Sequence, residues 1–194
     1  MARITRRPGT MLYPVPAVLV TCVDRTGRPN IITLAWVGTV CSAPPMVGIG
    51  VRPSRYSHDL IRDGGEFVVN IPSATIVEAV DYCGHVSGAE VDKFAVTGLT
   101  PLPASKVRPP LIAECPVNLE CRVEQHLSLG AHTLFLGEIV AVQMDQDVLD
   151  QSGTLDVRLA QPVAFVNGEY WTLGNLLETY GVSQRVNSIR GENG

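Results

Sequence analysis

The sequence predicts a mainly β fold with short helices: a small, mostly antiparallel β-barrel whose open ends are covered by helices. Three observations lead there. Short β-branched runs follow one another in hairpin order, separated by turn residues. The 194 residues include 18 Gly and 14 Pro, a density that favours sheet and turns over a helical bundle. Most strands also lack the helix that must follow each strand of a parallel doubly wound sheet.

The elements can be justified in order. Ala17–Val23 is a β-branched run, "DRTGRPN" supplies turn residues, and "IITLAWVGTV" resumes the sheet as a hairpin partner. "SAPP" turns the chain into a third strand, "MVGIGV". "RYSHDLIRDGG" reads as a short helix with Leu60 and Ile61 on one side and Gly64-Gly65 as its stop. "EFVVNI" is strand four, and "SATIVEAVDYCGHV" is an amphipathic helix with Ser73 as its cap. "GAEVDKFAVTGL" gives a turn of helix and a loop, and "PLPASKVRPP" is a Pro-rich connector. "LIAECPVNLECRVEQHLSLG" and "AHTLFLGEIVAVQMDQD" read as two long strands paired across Ser128–Gly130. "PVAFVNGEYWTLG" closes the chain with a hairpin around Asn167-Gly168, the best short turn signal present. There is no internal repeat and no linker that would cut the chain. Residues 1–180 are expected to form one domain, and 181–194 a polar tail expected to be disordered.

Length and composition bound the function. A chain of this size buries roughly 70% of the surface its unfolded form exposes, so its core needs no metal or disulfide. The formal charge of −4 and the absence of like-charge blocks argue against nucleic acid and against a membrane surface. Five cysteines (Cys22, Cys41, Cys83, Cys115, Cys121) form no C-x-x-C pair and no disulfide framework, which points to buried thiols in a reducing cytoplasm. Cys115 and Cys121 are expected on one strand face. The basic start followed by an apolar run imitates an export signal, but Pro14 and Pro16 interrupt it, and no small-x-small cleavage site precedes Asp24. Pro29 to Val51 carries no formal charge until Arg52, yet Gly38, Pro44, Pro45, Gly48 and Gly50 break it, so buried strands are expected and not a membrane span. No metal is expected.

The chemistry concentrates in "VRPSRYSHDLI", at a strand-to-helix junction. A helix N-terminus leaves N–H groups without partners and its dipole favours an anion. Arg52 and Arg55 add cations, and Ser54, Tyr56 and Ser57 add donors, so the junction suits a phosphate monoester. The bland alternative is that Ser54 or Ser57 is an N-cap and the arginines are solvated. Capping is worth about 1 kcal/mol and explains one hydroxyl, not three with two cations. No Walker A motif occurs, and "GIGVRP" lacks the third Gly and the helix opening of a dinucleotide finger. The uncharged strand before the junction contains Trp36, and Gly38 would let a flat ligand approach the backbone. Taken alone, that strand is simply a barrel strand.

"NIITLAWVGTVCSAPPMVGIGVRPSRYSHDLI", "GEFVVNIP", "DYCGHVSGAEVDKF", "PVNLEC" and "GAHTLFLGEIVAV" resemble, in that order, the flavin reductase-like proteins, the group with flavoredoxin and archaeal ferric reductase. The resemblance implies an FMN-binding split barrel that forms a homodimer with FMN near the subunit interface. It implies that Asn30 and the segment Ala35, Trp36, Val37, Gly38, Thr39, Val40 and Cys41 form the wall along the flavin. Arg52, Ser54, Arg55, Tyr56 and Ser57 then form the phosphate pocket. Lys93 of "VDKF" resembles a lysine that reaches the flavin and would stabilise negative charge at the N1/O2 edge of its reduced form. The alternative for Lys93 is a surface lysine beside Asp92. His132 of "AHTLF" resembles a histidine on the nicotinamide side, against the alternative of a structural histidine. Val37 departs from a hydroxyl residue in some relatives, and Tyr170 or Trp171 could supply an aromatic cover.

Two function classes follow from the resemblance. One is an enzyme that passes hydride from NAD(P)H through FMN to free flavin, a ferric chelate or another acceptor. The other is a non-enzymatic FMN-binding electron carrier reduced by a redox protein partner. A barrel for some other cofactor is the weaker third reading.

Overall fold

In the computed structural model, residue 1 and residues 3–183 are described. The expected disorder of the tail therefore falls mostly on residues 184–194, outside the described part. The first half holds β1 (Val15–Pro16), β2 (Val18–Val23), β3 (Pro29–Leu34), β4 (Val37–Ser42), β5 (Pro45–Val51), α1 (Tyr56–Gly64) and β6 (Glu66–Ile71). Next come α2 (Val77–His85), α3 (Lys93–Thr97), β7 (Pro101–Leu102), β8 (Leu111–Ile112), β9 (Val117–Ser128) and β10 (Thr133–Met144). The chain finishes with α4 (Val157–Ala160), β11 (Val163–Val166) and β12 (Glu169–Thr172).

Seven strands form one sheet in the order β3-β2-β6-β9-β10-β5-β4, every pairing antiparallel. β3 and β4 lie at opposite edges of that sheet although only Ala35 and Trp36 separate them in sequence. The sheet must therefore curl until its edges meet, and Gly50 N–H donates to Trp36 O at 2.8 Å across the junction. This corrects the expected single strand Ile31–Val40: it breaks at Ala35-Trp36, because one straight strand could not serve both edges. The charge-free stretch becomes β3, β4 and β5, and among the described residues no helix is long and apolar enough to cross a membrane.

Side chains alternate across the curled sheet. The inward set (Val18, Val20, Cys22, Ile32, Val47, Ile49, Phe67, Val69, Phe135 and neighbours) fills the barrel. Phe67 is fully buried, worth about 3 kcal/mol on transfer alone. Gly137 makes room for it, since a Cβ there would lie 2.6 Å from the Phe67 ring. The outer face of β2 and β3 is covered by α2, α3 and β11 through Leu19, Ile31, Val80, Cys83, Phe94 and Val163. β2 is thus buried on both faces, which is why "VLVTCV" reads as an unbroken apolar run and not an alternation.

Local signals mostly behave as the residues dictate. Gly65 ends α1 at φ 70, and Asn167 (φ 50) and Gly168 (φ 92) make the terminal hairpin turn. Asp92 caps α3, its Oδ1 accepting from Ala95 N–H at 3.2 Å. Ser73 precedes a single 3₁₀ turn without capping it; its hydroxyl meets that of Thr75. Cys115 lies outside β9, in the outer core cluster, while Cys121 sits in the inner one, so the two do not share a strand face. Both thiols are buried, and burial pushes Cys121 up to about 12.

The Pro-rich connector is held by Glu120, which is fully buried on β9. Its carboxylate accepts from Ser105 N–H (3.0 Å), Ser105 Oγ (2.9 Å), Lys106 N–H (2.6 Å) and Gln143 Nε2 (3.0 Å). Burial by itself would raise this carboxyl, but the Gln143, Ser105 and Lys106 bonds together hold it below the usual glutamate range. Glu120→Ala strands these donors, so urea unfolding at pH 7 is expected to show a loss of about 2–4 kcal/mol. A depressed carboxyl stabilises above its unfolded value and ceases to do so as pH falls through the folded one, so the gap between wild type and variant should narrow in acid. A gap that widens in acid would contradict this account.

Candidate functional site

The junction after β5 is a tight turn. Arg55 N–H donates to Arg52 O at 3.0 Å, with Pro53 at the second position, whose fixed φ suits that place. A turn of this kind brings its first and fourth residues within about 7 Å, so Arg52 and Arg55 are neighbours by construction. Arg55 is the N-cap residue of α1, and no side chain caps the helix. This corrects the capping alternative for Ser54 and Ser57, and leaves the Tyr56 and Ser57 N–H groups without intrahelical acceptors, while His58 N–H donates to Arg55 O at 2.9 Å.

"VRPSRYSHDLI" divides by face. Arg52, Ser54, Arg55 and Tyr56 are exposed; Ser57 and His58 are buried. Ser57 Oγ accepts from Asn30 Nδ2 at 2.7 Å. His58 pairs through Nε2 with Thr133 Oγ1 and through Nδ1 with Asp59 Oδ1, both at 2.9 Å, and packs edge-on against Phe135. The inward residues therefore bolt the loop to β3 and to the start of β10, and the outward ones are free to meet a ligand.

The electrostatics are one-sided. Arg25, Arg62, Arg108 and Arg158 each have a carboxylate partner. Among the described residues, Arg52 and Arg55 have none; Arg28, Lys106, Arg122 and the N-terminal arginines also lack one there, but it is Arg52 and Arg55 that line the recess. Lys93 is 4% exposed, its Nζ donating to Ile31 O (2.7 Å) and Cys83 O (2.8 Å), so the surface alternative for this residue fails. Burial is the chief cause that lowers its ammonium below the usual lysine range; Cys83 opposes this and Arg55 reinforces it. An ammonium has three donors, and carbonyls take two.

Three connected depressions gather the expected residues. Ser54, Arg55, Tyr56, Ser57 and Lys93 line a small pocket with Gly84 from the last turn of α2 and Ser87 and Gly88 from the α2–α3 connection. Ala35, Trp36, Arg52, Arg55 and His132 line a neighbouring cleft with Ile32, Thr33, Leu34 and Gly50. Trp36, Val37, Gly38, Val40 and His132 continue into an apolar groove of about 620 Å³ with Met11, Leu12, Leu129 and Leu134. Arg55 joins the first two depressions, and Trp36 and His132 join the last two. Gly50 permits the bend, since a Cβ there would lie 3.1 Å from that of Trp36.

Some expectations change. Lys93 and His132 line different depressions, on either side of Arg55. Asn30 is 5% exposed and lines none of these three, so it underlies the site instead of forming its wall. Thr39 and Cys41 also line none of them: β4 carries a register shift between these residues, which leaves Val40 as the extra residue facing the groove. Tyr170 donates to Asp81 Oδ1 at 3.1 Å and packs on Phe165; Trp171 is exposed and donates to Glu169; neither lines these depressions. His58, Thr133, Ser87 and Gly88 were not anticipated. Ser57 precedes Ile61 by one helical repeat, and that spacing marks an inward face from sequence alone.

His132 sits in the β9–β10 turn, where its carbonyl accepts from Leu129 N–H at 2.8 Å. Burial, and then the Arg52 charge, hold its imidazole below the usual histidine range. Arg52→Ala should therefore raise the His132 pKa, read from its ring proton shifts in an NMR titration. A value unchanged or lowered would show that the two side chains do not interact.

Solved structures place this fold among the flavin reductase-like split barrels. The chain belongs to the flavin reductase-like family, whose domain model matches residues 10–174. It is 35% identical to flavoredoxin of Desulfovibrio vulgaris (Miyazaki F), with 94% of this chain and 100% of that chain covered at a TM-score of 0.89. Flavoredoxin from Methanosarcina acetivorans is 32% identical, covering 96% and 100% at 0.88. An uncharacterized protein of Archaeoglobus fulgidus is 36% identical over 79% of this chain and 86% of its own.

Proposed function

We propose that this protein binds FMN and acts as an oxidoreductase of the flavin reductase type, with NAD(P)H as transient donor and free flavin, a ferric chelate or another small acceptor receiving the electrons. The observation that carries this is the cluster of Arg52, Arg55 and Lys93 without a carboxylate partner among the described residues, opening beside a bend walled by backbone and Trp36. In a chain of net charge −4, cations left uncompensated in one recess select an anion.

The residues present fit the cofactor. Arg52, Arg55 and Ser54 would hold the terminal phosphate, with the first N–H groups of α1 and the Ser57 hydroxyl beneath. Ala35, Trp36 and Gly50 would lie along the ring system. When bound, FMN supplies the redox chemistry by accepting hydride and releasing electrons to an acceptor. Lys93 puts positive charge on the phosphate side of the recess, and His132 offers a neutral imidazole on the other. Val37, Val40, Leu129 and Leu134 give the groove an apolar lining, and its end at Trp36 and His132 would admit a nicotinamide transiently. No dinucleotide finger is present to hold the rest of that donor.

The likeness to two flavoredoxins favours a second reading: an FMN-holding electron carrier reduced by a protein partner. One experiment separates both from failure. The purified full chain is expected to release FMN on denaturation, and mixing the holoprotein with NADH or NADPH in a stopped-flow instrument to bleach the oxidised flavin band. Retained FMN without bleaching supports the carrier. The Arg52→Ala/Arg55→Ala variant is expected to fold and to lose FMN affinity by roughly a hundredfold or more, with two charge-assisted contacts gone. Unchanged affinity would sink the phosphate assignment.

We also propose a homodimer. β4 is a sheet edge, and Met11, Leu12, Val40 and Leu129 stand exposed along the groove, a rim that a second copy would cover while leaving the end at Trp36 and His132 open. Sedimentation velocity should give twice the 20.9 kDa chain mass; a monomer at micromolar concentration would refute it.

A further inference from the structure

Asn30 lines none of the three depressions, yet its side chain lies between two parts of the anion pocket, Ser57 and Gly88, and the buried Cys22. Its Nδ2 donates to Ser57 Oγ at 2.7 Å and points to Cys22 Sγ at 3.8 Å. Its Oδ1 turns toward Gly88, where a Cβ would fall only 1.8 Å away. Position 88 is thereby restricted to glycine, and the Ser87–Gly88 turn that lines the pocket can approach β3.

The direction of this network is set by chemistry. The buried Cys22 thiol faces Asn30 O (4.0 Å), which leaves the sulfur's lone pairs to the Asn30 Nδ2 at 3.8 Å, so the amide NH₂ is the group that faces both Cys22 and Ser57. Burial pushes the Cys22 pKa up to about 12, which keeps the thiol neutral. The same NH₂ faces Ser57 Oγ and can only donate to it. Ser57 Oγ must then accept, and its own hydrogen is directed elsewhere. Among the described residues the one nearby alternative acceptor is the Cys22 sulfur, a weak one that cannot compete with an oxyanion. Ser57 is 2% exposed, lines the pocket with Arg55 and Lys93, and apart from Asn30 meets only the Cys22 sulfur among the described side chains.

We propose that Asn30 is a positioning residue: it fixes Ser57 as a donor to the phosphate of the bound flavin and packs the Gly88 turn against the same pocket. This rests on the phosphate reading above and deepens it, assigning to a buried amide the orientation of a phosphate ligand. A preset hydroxyl has no competing rotamer to abandon when the anion arrives, which is where the affinity comes from.

The test uses the full chain and two ligands, FMN and riboflavin, which differ by the phosphate; binding is followed by flavin fluorescence. Wild type should prefer FMN strongly. Asn30→Leu removes the donor at similar size, and Asn30→Asp keeps the shape but can only accept, taking the Ser57 proton. Both should weaken FMN roughly tenfold or more while riboflavin affinity stays within about twofold. Ser57→Ala should do the same, and in the Asn30→Leu background it should cost little further, since the two act on one hydrogen bond. If Asn30→Leu does not fold, Asn30→Asp carries the comparison. An FMN-to-riboflavin ratio unchanged in the Asn30 variants, or losses that add fully with Ser57→Ala, would overturn the inference while leaving the phosphate site intact. A wild type with no preference for FMN would overturn the phosphate site itself.

Discussion

The two-residue step from β3 to β4 constrains everything else in this molecule. Ala35 and Trp36 must carry the chain from one edge of a seven-stranded sheet to the other, and the Gly50 N–H to Trp36 O bond joins the bend to β5. The three steps from Leu34 to Val37 span about 10 Å at most, so the end of β3 and the start of β4 can be no further apart and the sheet has to close there. Closure places the end of β3, the bend, the turn after β5 and the start of β10 side by side. Those four segments supply Ile32, Trp36, Arg52, Arg55 and His132, which are far apart in sequence and line one cleft. The glycine at 50 eases this closure, because a Cβ there would press on Trp36 at 3.1 Å.

Around that cleft the molecule treats charge in two ways. Elsewhere, Arg25, Arg62 and Arg108 meet Asp63, Asp59 and Glu66 in surface pairs that solvent screens. In the recess, Arg52 and Arg55 stand without carboxylates and Lys93 is buried against carbonyl oxygens. Burying an ammonium on carbonyl dipoles alone is expensive, and its pKa falls in consequence. A protein that keeps such an arrangement holds back favourable electrostatic energy until an anion arrives. Burial, with the Arg52 charge added to it, lowers the His132 imidazole in the same way.

The loop that supplies the cations is rigid for a reason its exposed residues do not reveal. Ser57 and His58 turn inward and attach it at two points, one through Asn30 and one through Thr133. A turn fixed at both inner residues presents its outer ones at defined positions, which lowers the entropy cost of gripping a ligand. Asn30 and Glu120 are instances of one device: a buried polar side chain with its bonds met locks a loop that has little apolar surface of its own.

Sequence alone determined the elements and the family. Hairpin order, the Asn167-Gly168 turn, the Gly65 stop and the Arg-Pro-Ser-Arg-Tyr-Ser junction are local features, set by backbone preferences and residue chemistry within a few positions. The recognised motifs covered the cationic turn, Trp36 and His132 for the same reason. Tertiary structure decided what local preference cannot carry: that "IITLAWVGTV" splits to serve two sheet edges, that Asn30 lies beneath the pocket and not along it, and that Lys93 and His132 fall on opposite sides of Arg55. A strand's alternation shows which residues share a face, but which face becomes interior depends on how the sheet closes, and that is settled by contacts between residues distant in the chain.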